Sequence, residues 1–152
     1  MVQRTVLFLI ANFVALAIGG FFTGPGVSSD WYQDLVQAPW TPPGWVFGAA
    51  WTSIMICFAF YMAYLWPKVE NQRTLLFLFF LQWILNIAWN PIFFHYHVVN
   101  YAFMVISSLT LLLILMGYTY WEILRAKSIF LFPYIIWLLI ATSLNGYILM
   151  HN

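Results

Sequence analysis

Three amides stand at steps of four along one stretch of the chain: Gln82, Asn86 and Asn90. On an α-helix that spacing stacks them on a single face, with Trp83 and Trp89 three residues to either side of Asn86. The chemistry open to such a stripe is hydrogen bonding and ring stacking. Two readings fit it: interhelical hydrogen bonds that hold a bundle together, or the polar wall of a small-molecule cavity. General acid–base chemistry lacks its residues, because Asp30, Asp34, Glu70 and Glu122 all fall outside the apolar stretches. His95-x-His97 could bind a metal or heme iron, but two histidines in a three-residue outer turn are more often solvated, so no metal centre is expected. A photochemical or radical route through tryptophan, with an absorbing ligand supplying the chemistry, is the enzymatic option left open.

The elements that carry the stripe follow from composition. Of 152 residues, 64% are hydrophobic and 6% charged, whereas a soluble domain is about half apolar and about a quarter charged. There is too little polar surface to meet water, so lipid must cover the chain. A net charge of +1 offers no basic field, and nucleic acid is not expected as a partner. The single cysteine, Cys57, lies within an apolar run and has no intramolecular partner for a disulfide.

Five stretches without Asp, Glu, Lys or Arg reach the ~20 residues needed to cross hydrocarbon: 6–24, 44–66, 74–94, 98–121 and 128–150. Backbone groups in lipid must pair within the segment, and the alternation of a barrel strand is absent, so these read as helices. The predicted fold is an all-α integral membrane protein, a five-transmembrane-helix bundle forming one domain over 1–152. The first apolar run continues past the small-x-small site Ala15-Leu16-Ala17 to Phe22, which favours a retained span over a cleaved leader. Arg4, Lys68, Arg73, Arg125 and Lys127 all fall on one side of such a bundle. The positive-inside bias then makes the N-terminus cytoplasmic and the C-terminus external. The expected location is multi-pass, in a bacterial cell membrane.

Short connections after the second, third and fourth spans predict that consecutive helices are antiparallel neighbours. Ala11, Ala15 and Gly19 repeat every four residues and give the first helix a small-residue face for close packing, within the chain or against a second copy. The exception to the short connections is 25–43, a structured outer loop with Trp31, Tyr32, Trp40 and the stiff run Thr41-Pro42-Pro43-Gly44. Counting ~1.5 Å per residue from the helix ends puts Asn86 about 12 Å deep, Trp51 about 10 Å, Ala141 about 13 Å and Asn145 about 7 Å. Trp137 falls a little under about 20 Å. Aromatic rings and amides from three helices therefore converge at one level beneath that loop.

Three segments carry a specific likeness: WYQDLVQAPWTPPGWVFGAAW at 31–51, LQWILNIAWNPIFF at 81–94 and FPYIIWLLIATSLN at 132–145. With five spans around them, the chain resembles the tryptophan-rich sensory protein and translocator protein family, also known as peripheral-type benzodiazepine receptors. The resemblance implies a dimeric five-helix bundle that takes protoporphyrin, heme, sterols and synthetic benzodiazepine- or isoquinoline-type ligands in a pocket under the first loop, with no cofactor required. The positions that match its pocket are Tyr32, Pro42, Phe47, Trp51, Asn86, Trp89, Asn90, Trp137, Ala141 and Leu144. It also associates Trp51 and Trp137 with light-dependent porphyrin breakdown. Two departures stand out. Ala38 replaces the lysine common before the loop proline, and no Lys or Arg follows Leu144 and Tyr147, so sterol is not expected among the ligands.

The functional expectation is therefore a membrane receptor or carrier for tetrapyrroles and other flat apolar ligands. Porphyrin photodegradation and a regulatory or scaffold role are the alternatives. Ion-coupled transport is disfavoured, since no ionisable group lies within the spans.

Overall fold

Apolar runs longer than twenty residues with no internal charge fold as helices, since lipid leaves the backbone no other partner. A computed structural model describes all 152 residues. Its elements are α1 (Val2–Val27), α2 (Asp30–Asp34), α3 (Gly44–Leu65), α4 (Gln72–Phe94), α5 (Val99–Leu124) and α6 (Phe132–His151), with a 3-10 segment, Arg125–Leu131, between the last two. There is no strand. Five of these helices are long, as the apolar pattern predicts.

The boundaries differ where local chemistry intervenes. α1 runs on through Pro25 to Val27, where a missing N–H costs a single bond of the last turn. The expected loop 122–127 is not a loop. The chain turns at Arg125 (φ 48°) and passes directly into 3-10 turns, and α-helix resumes at Phe132 because Pro133 suits a first turn. As a result four helical stretches, not five, are long and apolar enough to cross a membrane, the fourth being the 53 residues Val99–His151. Straight, that stretch would measure about 80 Å, but α5 and α6 fold back and pack along each other.

The order of helices around the bundle also departs from the expected antiparallel neighbours. α4 packs on α5 and α5 on α6, but α3 and α4 do not lie side by side: α1 is wedged between them. The small-residue face is what admits it. Trp83 Nε1 donates to the Ala11 carbonyl at 2.8 Å, and Gly19 lies so close to α4 that a Cβ there would sit 2.7 Å from Asn90 Nδ2. On its other flank, the buried Asn12 donates from Nδ2 to the Met55 carbonyl of α3 at 3.0 Å. That face is thus spent within the chain and is not left for a second copy.

One end of the bundle is packed solid through its centre, with a groove at its side between α5 and the start of α6. Phe58, Tyr61, Met62, Leu65, Phe79, Leu113, Met116 and Tyr134 form its continuous buried core. Gln82 belongs to this packing, accepting from the Tyr134 hydroxyl at 3.1 Å. Lys68 Nζ reaches the Ile123 carbonyl at 3.3 Å and Lys127 lies 4.1 Å from the centre of the Tyr64 ring, so the basic residues of both connections gather at this same end.

Candidate functional site

The opposite end is hollow. A cavity of about 550 Å³ lies between α1, α3, α4 and α6. It is roofed by part of the segment between α1 and α3. α1 gives the wall four small residues, Ala15, Gly19, Gly20 and Thr23, beside Leu16 and Val27. α3 supplies Phe47, Gly48 and Trp51; α4 supplies Asn86, Trp89, Asn90 and Phe93; α6 supplies Ala141, Leu144, Asn145 and Ile148; the roof supplies Tyr32, Gln33, Gln37 and Pro42. No Asp, Glu, Lys, Arg or His lines it.

Nine of the ten residues singled out from the sequence meet on this cavity: Tyr32, Pro42, Phe47, Trp51, Asn86, Trp89, Asn90, Ala141 and Leu144. Trp137 does not. It is buried behind Phe47, which meets its ring edge-on at a centroid distance of 5.3 Å. Counting residues gives only a level along α6, whereas the rotation of the helix decides which ring faces the space. Trp51 stands edge-on to Tyr134 at 6.0 Å, and Trp89 stacks on Phe93 at 5.5 Å, so both indoles are held by aromatic neighbours.

The amides divide by what they already bind. Asn90 is occupied: its Oδ1 accepts from Thr23 Oγ1 at 2.6 Å and its Nδ2 donates to the Asn86 carbonyl at 2.9 Å. It ties α1 to α4 and keeps one N–H of Nδ2 unused. Asn145 is the reverse case. It is 2% exposed, yet neither Nδ2 nor Oδ1 has a partner within the chain, and Trp89 Nε1 is likewise buried and unpaired. A buried amide left unmatched costs about 1–3 kcal/mol; the Asn86 side chain, which lines the cavity, is also without a hydrogen-bond partner in the chain. Sequence reasoning gave the depth of Asn145 but not this isolation, because a lone amide on an apolar helix has no periodic companion to mark it.

The roof is clamped on two sides. Ser29 caps α2, its Oγ accepting from the Tyr32 N–H at 3.3 Å. Trp31 stacks on His97 at 3.9 Å, and Tyr32 packs on Phe93 and Phe94. Burial pushes the Tyr32 hydroxyl above the ordinary tyrosine range. Further along, Trp40 Nε1 donates to Ser143 Oγ at 3.1 Å and its ring meets Tyr147. Val36 N–H donates to Asn152 Oδ1 at 2.9 Å while Asn152 Nδ2 donates to the Val36 carbonyl at 3.3 Å, an amide-to-backbone pair that fastens the strap to the end of α6. α2 is therefore held by α4 and the strap by α6.

Comparison with known proteins agrees with this architecture. Residues 7–151 match the model of the TspO/MBR family. The chain is 33% identical over 153 residues to a tryptophan-rich protein TspO of Archaeoglobus fulgidus, covering 97% of this chain and 98% of that one. It is 30% identical to protein CrtK of Rhodobacter capsulatus (91% of this chain, 86% of the relative) and 27% identical to the human translocator protein (91% and 83%). A match of the family model across nearly the whole length, with integral-membrane helices to carry it, shows that the chain belongs to the TspO/MBR family.

Proposed function

We propose that this protein is a membrane receptor or carrier that binds a flat, largely apolar molecule, a tetrapyrrole such as protoporphyrin or heme being the best candidate, inside the roofed cavity. The observation that carries the reading is the cavity itself: about 550 Å³ of aromatic and apolar wall with a few amides and no charged side chain. That size and character are usual for a small-molecule site, for which about 300–1,000 Å³ is typical. Trp51 and Trp89 offer ring faces and edges for stacking. Tetrapyrrole carboxylates would stay at the mouth, in water, because nothing on the wall neutralises them. Any light-driven porphyrin breakdown would fall to Trp51 rather than Trp137, which Phe47 screens.

In the membrane, α1, α3, α4, α5 and α6 would each cross once. With 20 to 26 residues apiece they match a hydrocarbon core of about 30 Å. The end bearing Lys68 and Lys127 would face the cytoplasm, leaving the roof outside.

Titrating the purified protein with protoporphyrin while following tryptophan emission tests the binding. Saturable quenching is expected, weakened at least about tenfold in Ala141→Phe, where a ring fills space that the alanine leaves open. Quenching that does not saturate, or that ignores the filled cavity, rejects the reading.

A further inference from the structure

We infer that the groove beside the solid end holds a phospholipid with a primary ammonium headgroup, of the phosphatidylethanolamine kind, with one acyl chain along the groove and the ammonium on the Glu122 carboxylate. The groove has a volume of about 610 Å³ and lies between α5 and the start of α6. Gly117 gives it depth: a Cβ there would stand 3.2 Å from Leu131 Cδ2, so a side chain at this position would fill the floor. Ile114 and Ile135 extend the apolar lining, and Tyr118, Trp121 and Phe132 add aromatic rings. Trp121 stacks on Phe132 at 6.1 Å and so joins α5 to α6 near the turn between them.

Level and charge select the occupant. From Ile114 to Glu122 the groove follows α5 for about 12 Å, most of the ~15 Å of hydrocarbon in one leaflet. Its apolar part therefore lies at acyl-chain depth. Glu122 lies at the end where Lys68 meets the Ile123 carbonyl, the level of lipid headgroups. It is the one charged residue on the groove, and it is exposed and makes no ion pair within the chain. Arg125 is exposed and unpaired as well, because the chain turns there at φ 48°, out of the helical register that pairs residues three apart. Lys127 is spent on the Tyr64 ring. An unpaired acid followed by an unpaired base suits a zwitterion, with ammonium on Glu122 and phosphate on Arg125. A primary ammonium gives the carboxylate three N–H donors. A trimethylammonium gives it none, and a headgroup without a cation is repelled.

The test mixes the full chain, delipidated in mild detergent, with equal amounts of phosphatidylethanolamine, phosphatidylcholine and phosphatidylglycerol of identical acyl chains, and reads the retained lipid by native mass spectrometry. The ethanolamine lipid should be retained at least about fivefold more than the choline lipid, as a charge-assisted hydrogen bond at a wet boundary supports, and the glycerol lipid least. In Glu122→Gln, an exposed and conservative change, the ethanolamine and choline lipids should be retained alike. Arg125→Gln should weaken both together. Gly117→Leu, which fills the floor, should release all three; if that variant does not fold, Glu122→Gln decides by itself. Equal retention in the wild type marks ordinary boundary lipid and overturns the inference. So do a preference that survives Glu122→Gln, retention unchanged by Arg125→Gln or by a folded Gly117→Leu, a preference for the glycerol lipid, and a dimer that carries no lipid. None of the three positions lines the roofed cavity, so the outcome stands apart from the reading of that site.

Discussion

Asn90 does three things within a few ångströms: it accepts from Thr23, donates along its own helix, and lies flat against Gly19. Each can be perturbed separately. Gly19→Val would drive a branched side chain into the Asn90 amide and should destabilise the fold by about 1–3 kcal/mol, visible as a lowered midpoint of thermal unfolding in detergent. Thr23→Val keeps the shape but removes the donor to Oδ1, and should cost only about 1 kcal/mol. If Thr23→Val proves the more damaging, the hydrogen bond outweighs the close approach and the packing argument fails. At this scale the stripe Gln82, Asn86 and Asn90 was legible because i, i+4 spacing declares a shared face. Which amide was spent and which was free was not legible, since Thr23 and Tyr134 come from other helices at no readable spacing. Trp137 failed for a related reason: depth along a helix can be counted, but the rotation that puts Phe47 in front of it depends on packing.

Among the elements, α1 shows what a pattern can and cannot say. Ala11, Ala15 and Gly19 foretold close approach, yet not that α4 would be the partner, nor that α3 would hold the opposite flank through Asn12. A short connection between α3 and α4 fixes only that their ends are near; a third helix can still stand between them along their length. The roof was readable as stiff and aromatic, but its clamps pair residues 61 to 116 positions apart. One of these gives a prediction. Trp40→Ala removes the bond to Ser143 and the contact with Tyr147. Protoporphyrin should then leave several-fold faster in stopped-flow quenching, with the unfolding midpoint hardly moved; an unchanged dissociation rate would mean the strap does not restrain the ligand. The roof should also respond to alkali. Burial raises the Tyr32 hydroxyl, so its ionisation is harder folded than unfolded: stability is intact below about pH 10 and declines above it. Tyr32→Phe should flatten part of that decline when unfolding midpoints are compared between pH 9 and 11.5.

For the molecule as a whole, the division into a solid end and a hollow end is the main result. Apolar composition made the bundle legible; the division itself comes from where large side chains interlock and where glycines and alanines leave room. The proposed orientation has a direct check. Both lysines, Lys68 and Lys127, belong to the solid end. A membrane-impermeant amine reagent should therefore label the protein in inverted vesicles and leave it untouched in right-side-out ones; labelling of the latter would reverse the topology.

The wedging of α1 between α3 and α4 bears on biogenesis. A chain emerging N-terminus first delivers α1 and α3 to the bilayer together, and they can pair at once. α4, tethered to α3 by a short link, must then swing past it to dock on the far side of α1. Until α4 and then α6 have docked the site lacks walls, so ligand binding by a nascent or split chain would report the end of assembly rather than its start.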